Sequence, residues 1–227
     1  MTPTLSLEHV ARAPAAARDG PPPMLVLLHG VGSNERSMAR LAPAFDPRLL
    51  VISARSPIEL GPDSFAWFHV QFTPQGNVID AAEAEAGWKR VAAFVDEAVA
   101  AYGADPERVF LGGFSQGAIM SLAALLTAPE KLAGAIAMSG RLLPEVLPHA
   151  ASPERLRGKP VLIVHGTDDE KLGIHYARSA RETLSQLPLA LDYHELPMGH
   201  AVTAETLAVV TSWITARLDA VIAGRAS

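Results

Sequence analysis

The stretch Gly113-Phe114-Ser115-Gln116-Gly117 constrains this chain more than any other, because it sets a nucleophile-type side chain between two glycines. Arg108 to Gly112, just before it, is apolar and β-prone. Ala118 to Leu126, just after it, has the composition and length of a helix. A G-x-S-x-G pentapeptide in a strand-turn-helix context predicts a sharp turn that lifts the serine hydroxyl above the edge of a sheet. The small neighbours let other backbone come close. A bare match of this kind is usually an ordinary glycine- and serine-rich turn; the flanking strand and helix favour the nucleophile.

The rest of the chain supplies the sheet. Met24 to Leu28, Leu49 to Ser53, Leu132 to Ser139, Pro160 to Val164 and Leu189 to Leu196 are apolar runs of strand length. Continuous apolar runs mark strands covered on both faces. Helical patterns lie between them: from the cap Asn34 to about Phe45, from Asp80 to Tyr102 before a closing Gly103, from about His175 to Leu187, and from about Thr203 to Ile222. Alternation of this kind predicts an α/β fold, a mostly parallel central sheet with helices on both faces. We read residues 1–227 as a single domain, with 1–23 as an edge strand (Leu5 to Val10) and a proline-rich loop. Arg55 to Val78, rich in proline, glycine and aromatics, reads as a long loop of functional character.

Composition narrows the partners. The 227 residues carry a net charge of −5 and contain no cysteine. An acidic chain has no basic field for phosphate backbones, so nucleic acid is excluded as an expected partner. The missing cysteine removes disulfides, thiolate metal sites and a cysteine nucleophile together. No H-E-x-x-H or comparable spacing suggests a metal. No signal-peptide pattern or membrane-length apolar run is seen, so a cytoplasmic protein without stable membrane association is expected.

In a parallel α/β sheet the ligand crevice lies beyond the carboxyl ends of the strands. Four such ends carry suggestive groups: His29-Gly30-Val31-Gly32, Ser115, Asp168-Asp169 and His200. The order Ser, Asp, His is that of the α/β-hydrolase architecture. Serine needs a base, for which His200 is the choice, and an aspartate to orient that base. Asp168 and Asp169 are adjacent and point different ways, so only one can face the histidine. The backbone N–H groups of Val31 and Gln116 are the expected oxyanion donors. His29 and His165 stand one step before their turns and read as structural. Trp67 and Phe68 are expected to wall the substrate pocket.

These residues resemble the phospholipase/carboxylesterase branch of the α/β-hydrolases, which includes acyl-protein thioesterases and small bacterial carboxylesterases. Leu27 to Gly32 looks like its oxyanion-loop motif, Ala66-Trp67-Phe68 like its substrate-loop motif, and Leu111 to Gly117 like its nucleophile motif. Lys131 to Gly134, Met138-Ser139-Gly140, Val164 to Asp169 and Met198-Gly199-His200 continue the likeness. The resemblance implies that the acid is Asp169, four residues after the histidine of its His-Gly pair. It implies hydrolysis of carboxylic esters without a cofactor, and it allows a homodimer.

The chain departs from the family pattern after the acid, where Glu170-Lys171-Leu172-Gly173 replaces an apolar segment bracketed by prolines. That loop borders the substrate site in the family, which makes Leu172 a further substrate-contact residue and leaves the acyl preference open. A small or medium soluble ester is the expected substrate; an acyl-protein thioesterase or a lysophospholipase is the enzymatic alternative. A hydrolase-fold binding protein is the alternative of another class, and it has no need of Ser115, Asp169 and His200 together.

Overall fold

The computed structural model describes residues 4–16, 20–73 and 76–225, apart from the side chains of 72, 73, 76, 77 and 221–225. The chain runs β1 (His9–Arg12), β2 (Met24–Leu28), α1 (Glu35–Ala39), β3 (Leu50–Ala54), β4 (Ile58–Gly61), β5 (Ser64–Ala66), β6 (Val70–Thr73) and β7 (Gly76–Ile79). It continues through α2 (Ala81–Tyr102), β8 (Val109–Phe114), α3 (Gln116–Thr127), β9 (Gly134–Met138), α4 (Pro153–Leu156), β10 (Pro160–Gly166), α5 (Ile174–Leu184), β11 (Ala190–Leu196) and α6 (Ala204–Arg225). This is an α/β-hydrolase fold.

A seven-stranded sheet in the order β1-β3-β2-β8-β9-β10-β11 organises the molecule. All its neighbours pair in parallel except β1, which runs antiparallel to β3. After β2 the chain steps towards one edge, and from β8 onward it steps towards the other. The reversal falls between β2 and β8, which is where an open α/β sheet leaves a crevice.

The strands are apolar throughout because both faces are covered. Met24, Val26 and Leu28 pack with Trp88 and Phe94 of α2 and Leu122 and Leu125 of α3. Leu25 and Leu27, the alternate residues, pack on the other side with Met38 of α1 and Trp213 and Leu218 of α6. Truncating such a buried leucine to alanine costs about 2–5 kcal/mol, so the strand ends that carry the site rest on a stiff base.

Local chemistry sets the helix ends. The Asp80 carboxylate accepts from the N–H groups of Ala82 and Glu83, and Gly103 closes α2 with φ +61°. Left-handed backbone at that position suits glycine. No helix among the described residues is long and apolar enough to cross a membrane.

The structure corrects three expectations. The edge strand is His9–Arg12 rather than Leu5 to Val10, because Leu7 turns into the core while the Ser6 N–H binds the Glu97 carboxylate. The helix capped by Asn34 stops at Ala39, and Ala42–Ala44 with Pro43 forms a separate 3₁₀ turn. Proline has no N–H to continue the ladder and disfavours helical geometry in the residue before it. The segment 55–78 is not a loop but holds two antiparallel hairpins, β4–β5 and β6–β7.

Candidate active site

Ser115 stands between β8 and α3 with φ 55° and ψ −115°. A non-glycine residue in such backbone is strained by about 1–3 kcal/mol and persists only where its surroundings over-determine it. Here they do. A Cβ on Gly113 would come within 2.2 Å of the Gly117 backbone, and one on Gly117 within 2.1 Å of the Leu28 carbonyl oxygen. Only glycine at both positions lets α3 start this close to β2 and β8. The Ser115 N–H is held by the Met138 carbonyl at 2.9 Å.

His200 comes from the turn between β11 and α6. Its Nε2 lies 2.9 Å from Ser115 Oγ, and its Nδ1 lies 2.7 Å from Asp169 Oδ2. The other carboxylate oxygen of Asp169 accepts from the N–H groups of Lys171 at 2.9 Å and Leu172 at 2.8 Å. The Asp169 side chain is wholly buried, whereas the imidazole is 11% exposed. A carboxylate filled in this way receives the proton on Nδ1 and leaves Nε2 as the acceptor facing the serine hydroxyl. Asp168 is exposed, with its N–H bound to the Met198 carbonyl. The Phe114 ring packs 4.8 Å, centre to centre, from the His200 ring.

Two buried histidines fix the loops around this set. His29 Nε2 accepts the Ser56 N–H at 3.0 Å, so its Nδ1 carries the proton and donates to the Gly30 carbonyl at 2.8 Å. His165 Nε2 lies 2.7 Å from the Leu172 carbonyl and so carries the proton, 3.5 Å from Asp169 Oδ2. Its Nδ1 is buried without a partner among the described residues. Burial holds both imidazoles below the ordinary histidine value, which keeps them neutral. Both behave as the structural residues expected.

The loop after β2 is pinned from the far side. The Gly32 N–H donates to the Phe65 carbonyl at 2.9 Å, and the Phe65 N–H donates to the Ser33 carbonyl at 3.0 Å. The Glu35 carboxylate just beyond it takes the Arg55 guanidinium at 2.7 and 2.9 Å, and that pairing holds its carboxyl down to about 2. Val31 and Gln116 both face the cavity that contains Ser115 and His200. Gln116 opens α3, whose first N–H groups have no intrahelical acceptor and carry the positive end of the helix dipole.

The cavity has a volume of about 820 Å³, within the range that suits a small-molecule ligand. Its wall is largely apolar, with Met38, Leu41, Phe68, Ile119 and Leu172 among the lining groups. Phe68 and Leu172 are thus where substrate-contact residues were expected. Trp67 is not: it is 1% exposed and lies behind the wall. Its indole N–H goes to the His29 carbonyl at 3.0 Å, and its main-chain N–H goes to the Gln116 side-chain oxygen at 2.7 Å. A buried indole has to spend its N–H on a partner, and this one ties the hairpin to the loop after β2.

Sequence reasoning missed the Gln116 side chain, which also donates to the Phe68 carbonyl at 2.7 Å and so clamps that hairpin to the elbow. A long amide directly after the serine was the available signal. It missed Phe114 and Arg141 as cavity residues as well.

The chain is similar to known proteins in sequence and in fold. Residues 13–218 match the phospholipase/carboxylesterase family. The chain is 32% identical over 161 residues to the carboxylesterase SOBER1 of Arabidopsis thaliana, covering 67% of this chain and 68% of that protein. It is 30% identical over 184 residues to acyl-protein thioesterase 1 of Kluyveromyces lactis, covering 75% and 79% of the two. The crystal structure of esterase PE8 superposes with a TM-score of 0.83 at 26% identity, covering 93% of this chain and 99% of that one. With the family match spanning the elbow, the acid loop and the histidine turn, this chain belongs to the phospholipase/carboxylesterase family and is a carboxylic ester hydrolase.

Proposed function

We propose that the chain, acting as one catalytic domain, hydrolyses small to medium carboxylic esters through an acyl-enzyme on Ser115. The observation that carries this reading is the hydrogen-bonded line Ser115 Oγ, His200 Nε2, His200 Nδ1, Asp169 Oδ2, with spacings of 2.9 and 2.7 Å. His200 takes the serine proton as Oγ attacks the ester carbonyl carbon, and gives it to the departing alcohol. Asp169 fixes the tautomer and stabilises the imidazolium. Water then attacks the acyl-enzyme by the same route and releases the acid. The Val31 and Gln116 N–H groups bind the oxyanion; losing one such donor typically removes about 2.7–4 kcal/mol of transition-state stabilisation. Phe68 and Leu172 contact the substrate.

The apolar cavity supports an acyl group of several carbons. The likeness to proteins named acyl-protein thioesterase keeps a second reading in view, that of a thioester substrate. p-Nitrophenyl esters graded by acyl length, run beside the matching thioesters, separate the two. The ester reading expects the highest kcat/KM with acyl chains of about four to eight carbons; a strong preference for long-chain thioesters would replace it. Neither a cofactor nor a membrane enters the scheme, and a cytoplasmic location and a homodimer remain part of the same expectation.

A further inference from the structure

We propose that the Ser115 cavity is built for esters that carry a carboxylate at the end of an apolar spacer, with the Arg141 guanidinium as its receptor and Lys171 on the same cavity wall. This rests on the ester-hydrolase reading above and names its substrate class.

Arg141 lines the same cavity as Ser115 and His200. It leaves the sheet through a turn that the elbow itself fixes. The Ser139 N–H binds the Val164 carbonyl at 2.9 Å, and Ser139 has φ +49°. A Cβ on Gly140 would fall 2.5 Å from the Ala118 Cβ and 3.1 Å from the Ser115 carbonyl oxygen. Left-handed backbone at a serine is strained, and such strain collects at functional sites. Here the strained turn delivers the next residue, Arg141, into the cavity.

The guanidinium is then held in place. It sits over the Tyr176 ring, 5.4 Å from its centre. Stacking of this kind orients the planar group and leaves its edge N–H donors free for a bidentate acceptor. Of the other arginines that sit over rings, Arg55 reaches Glu35 and Arg217 reaches Asp192, while Arg181, over Tyr193, does not line the cavity. Neither Arg141 nor Lys171 is in an ion pair among the described residues. Glu170 lines the cavity too, with no ion pair among the described residues, and the Asp169 carboxylate lies behind His200, already bound to its imidazole and to two backbone N–H groups. In a chain of net charge −5, two cations without ion pairs on one cavity wall are a local departure from the rest of the molecule.

The apolar lining defines the rest of the ligand. Met38, Phe68, Ile119 and Leu172 suit a methylene spacer between the ester and the far carboxylate. A neutral acyl chain of the same length would cover Arg141 without replacing the water it loses, which costs affinity. A carboxylate in the same place gains a charge-assisted pair.

The test compares p-nitrophenyl hydrogen adipate with p-nitrophenyl hexanoate, six-carbon acyl groups that differ in a terminal carboxylate against a methyl. The quantity read is the ratio of their kcat/KM values, corrected for hydrolysis without enzyme, in the parent, Arg141→Gln and Lys171→Gln. We expect the ratio to fall about ten-fold in Arg141→Gln, mostly through KM for the adipate ester, and about three-fold in Lys171→Gln. Rising salt should shrink the parent's ratio towards that of the variants. A ratio unchanged by Arg141→Gln would overturn the proposal. Calorimetric titration of adipate itself into the parent and into Arg141→Gln gives a reading that needs no turnover. If neither ester is cleaved, the hydrolase reading fails alone, and adipate binding that weakens about ten-fold in Arg141→Gln still upholds the anion receptor. Absence of adipate binding to the parent would sink it.

Discussion

The same dipeptide closes two strands of the central sheet, His29-Gly30 following directly on β2 and His165-Gly166 ending β10, and both histidines are buried and neutral. Their surroundings differ. His29 uses both ring nitrogens, on the Gly30 carbonyl and the Ser56 N–H, and so locks the loop that carries Val31. His165 uses only Nε2, on the Leu172 carbonyl and 3.5 Å from Asp169 Oδ2, and its Nδ1 has no partner among the described residues. The glycines differ in the opposite sense. A Cβ on Gly30 would sit 3.1 Å from the Ser115 Cβ, whereas one on Gly166 would sit 2.1 Å from the Met198 carbonyl oxygen. One turn is thus held mainly by its histidine, the other mainly by its glycine. A repeated motif can serve two loops by two different means.

The largest expected effect breaks the second turn. Gly166→Ala drives a methyl into backbone that carries His200, and should cost more than about 3 kcal/mol, measured as a lost or strongly lowered thermal transition. Gly30→Ala meets the Ser115 Cβ at 3.1 Å and the Phe114 ring at 3.4 Å, with no backbone atom closer than 3.5 Å, and should cost about 1 kcal/mol, with a disproportionate loss of kcat. Equal destabilisation by the two would end the contrast.

The histidines should rank the other way. His29→Phe strands the buried Ser56 N–H and the Gly30 carbonyl, and denaturant titration should show a loss of about 2–4 kcal/mol. His165→Phe removes one hydrogen bond together with the unpartnered nitrogen, and should cost about 1 kcal/mol. Its signature is kinetic, a lower kcat with little change in KM, because the loop that presents Asp169 loses its tether.

A smaller effect comes from pH. Both histidines titrate below 6.5 in the folded state, so the unfolded chain binds more protons and stability rises with pH through that region. Their contribution is complete well above 6.5 and is lost as the pH falls below it. A second loss should follow as the pH falls from 4.5 towards 2, where the Glu35 carboxyl held down by Arg55 becomes protonated. A melting temperature flat from pH 8 to 5 would contradict the neutral, buried histidines.

The order of elements, the elbow and the four strand ends were legible in the sequence, because apolar strands and paired glycines report directly on burial and close backbone approach. The hairpins β4–β5 and β6–β7 were not. Their strands are 3 or 4 residues long, too short for an alternating pattern to stand out from proline, glycine and aromatic residues. Trp67 was read as a pocket wall because an aromatic in an irregular segment carries no sign of which way it turns. Its orientation depends on the distant His29 carbonyl and Gln116 side chain. Arg141 escaped notice for the same reason, since its place in the cavity follows from a turn held by the elbow and from Tyr176.

The central claim is the acyl-enzyme on Ser115, and pre-steady-state hydrolysis of p-nitrophenyl butyrate by the parent and by Ser115→Ala tests it most directly. The account predicts a p-nitrophenolate burst proportional to the parent protein, with the variant losing the burst and slowing by about 10³-fold or more. A variant that keeps the parent's burst and rate would contradict it.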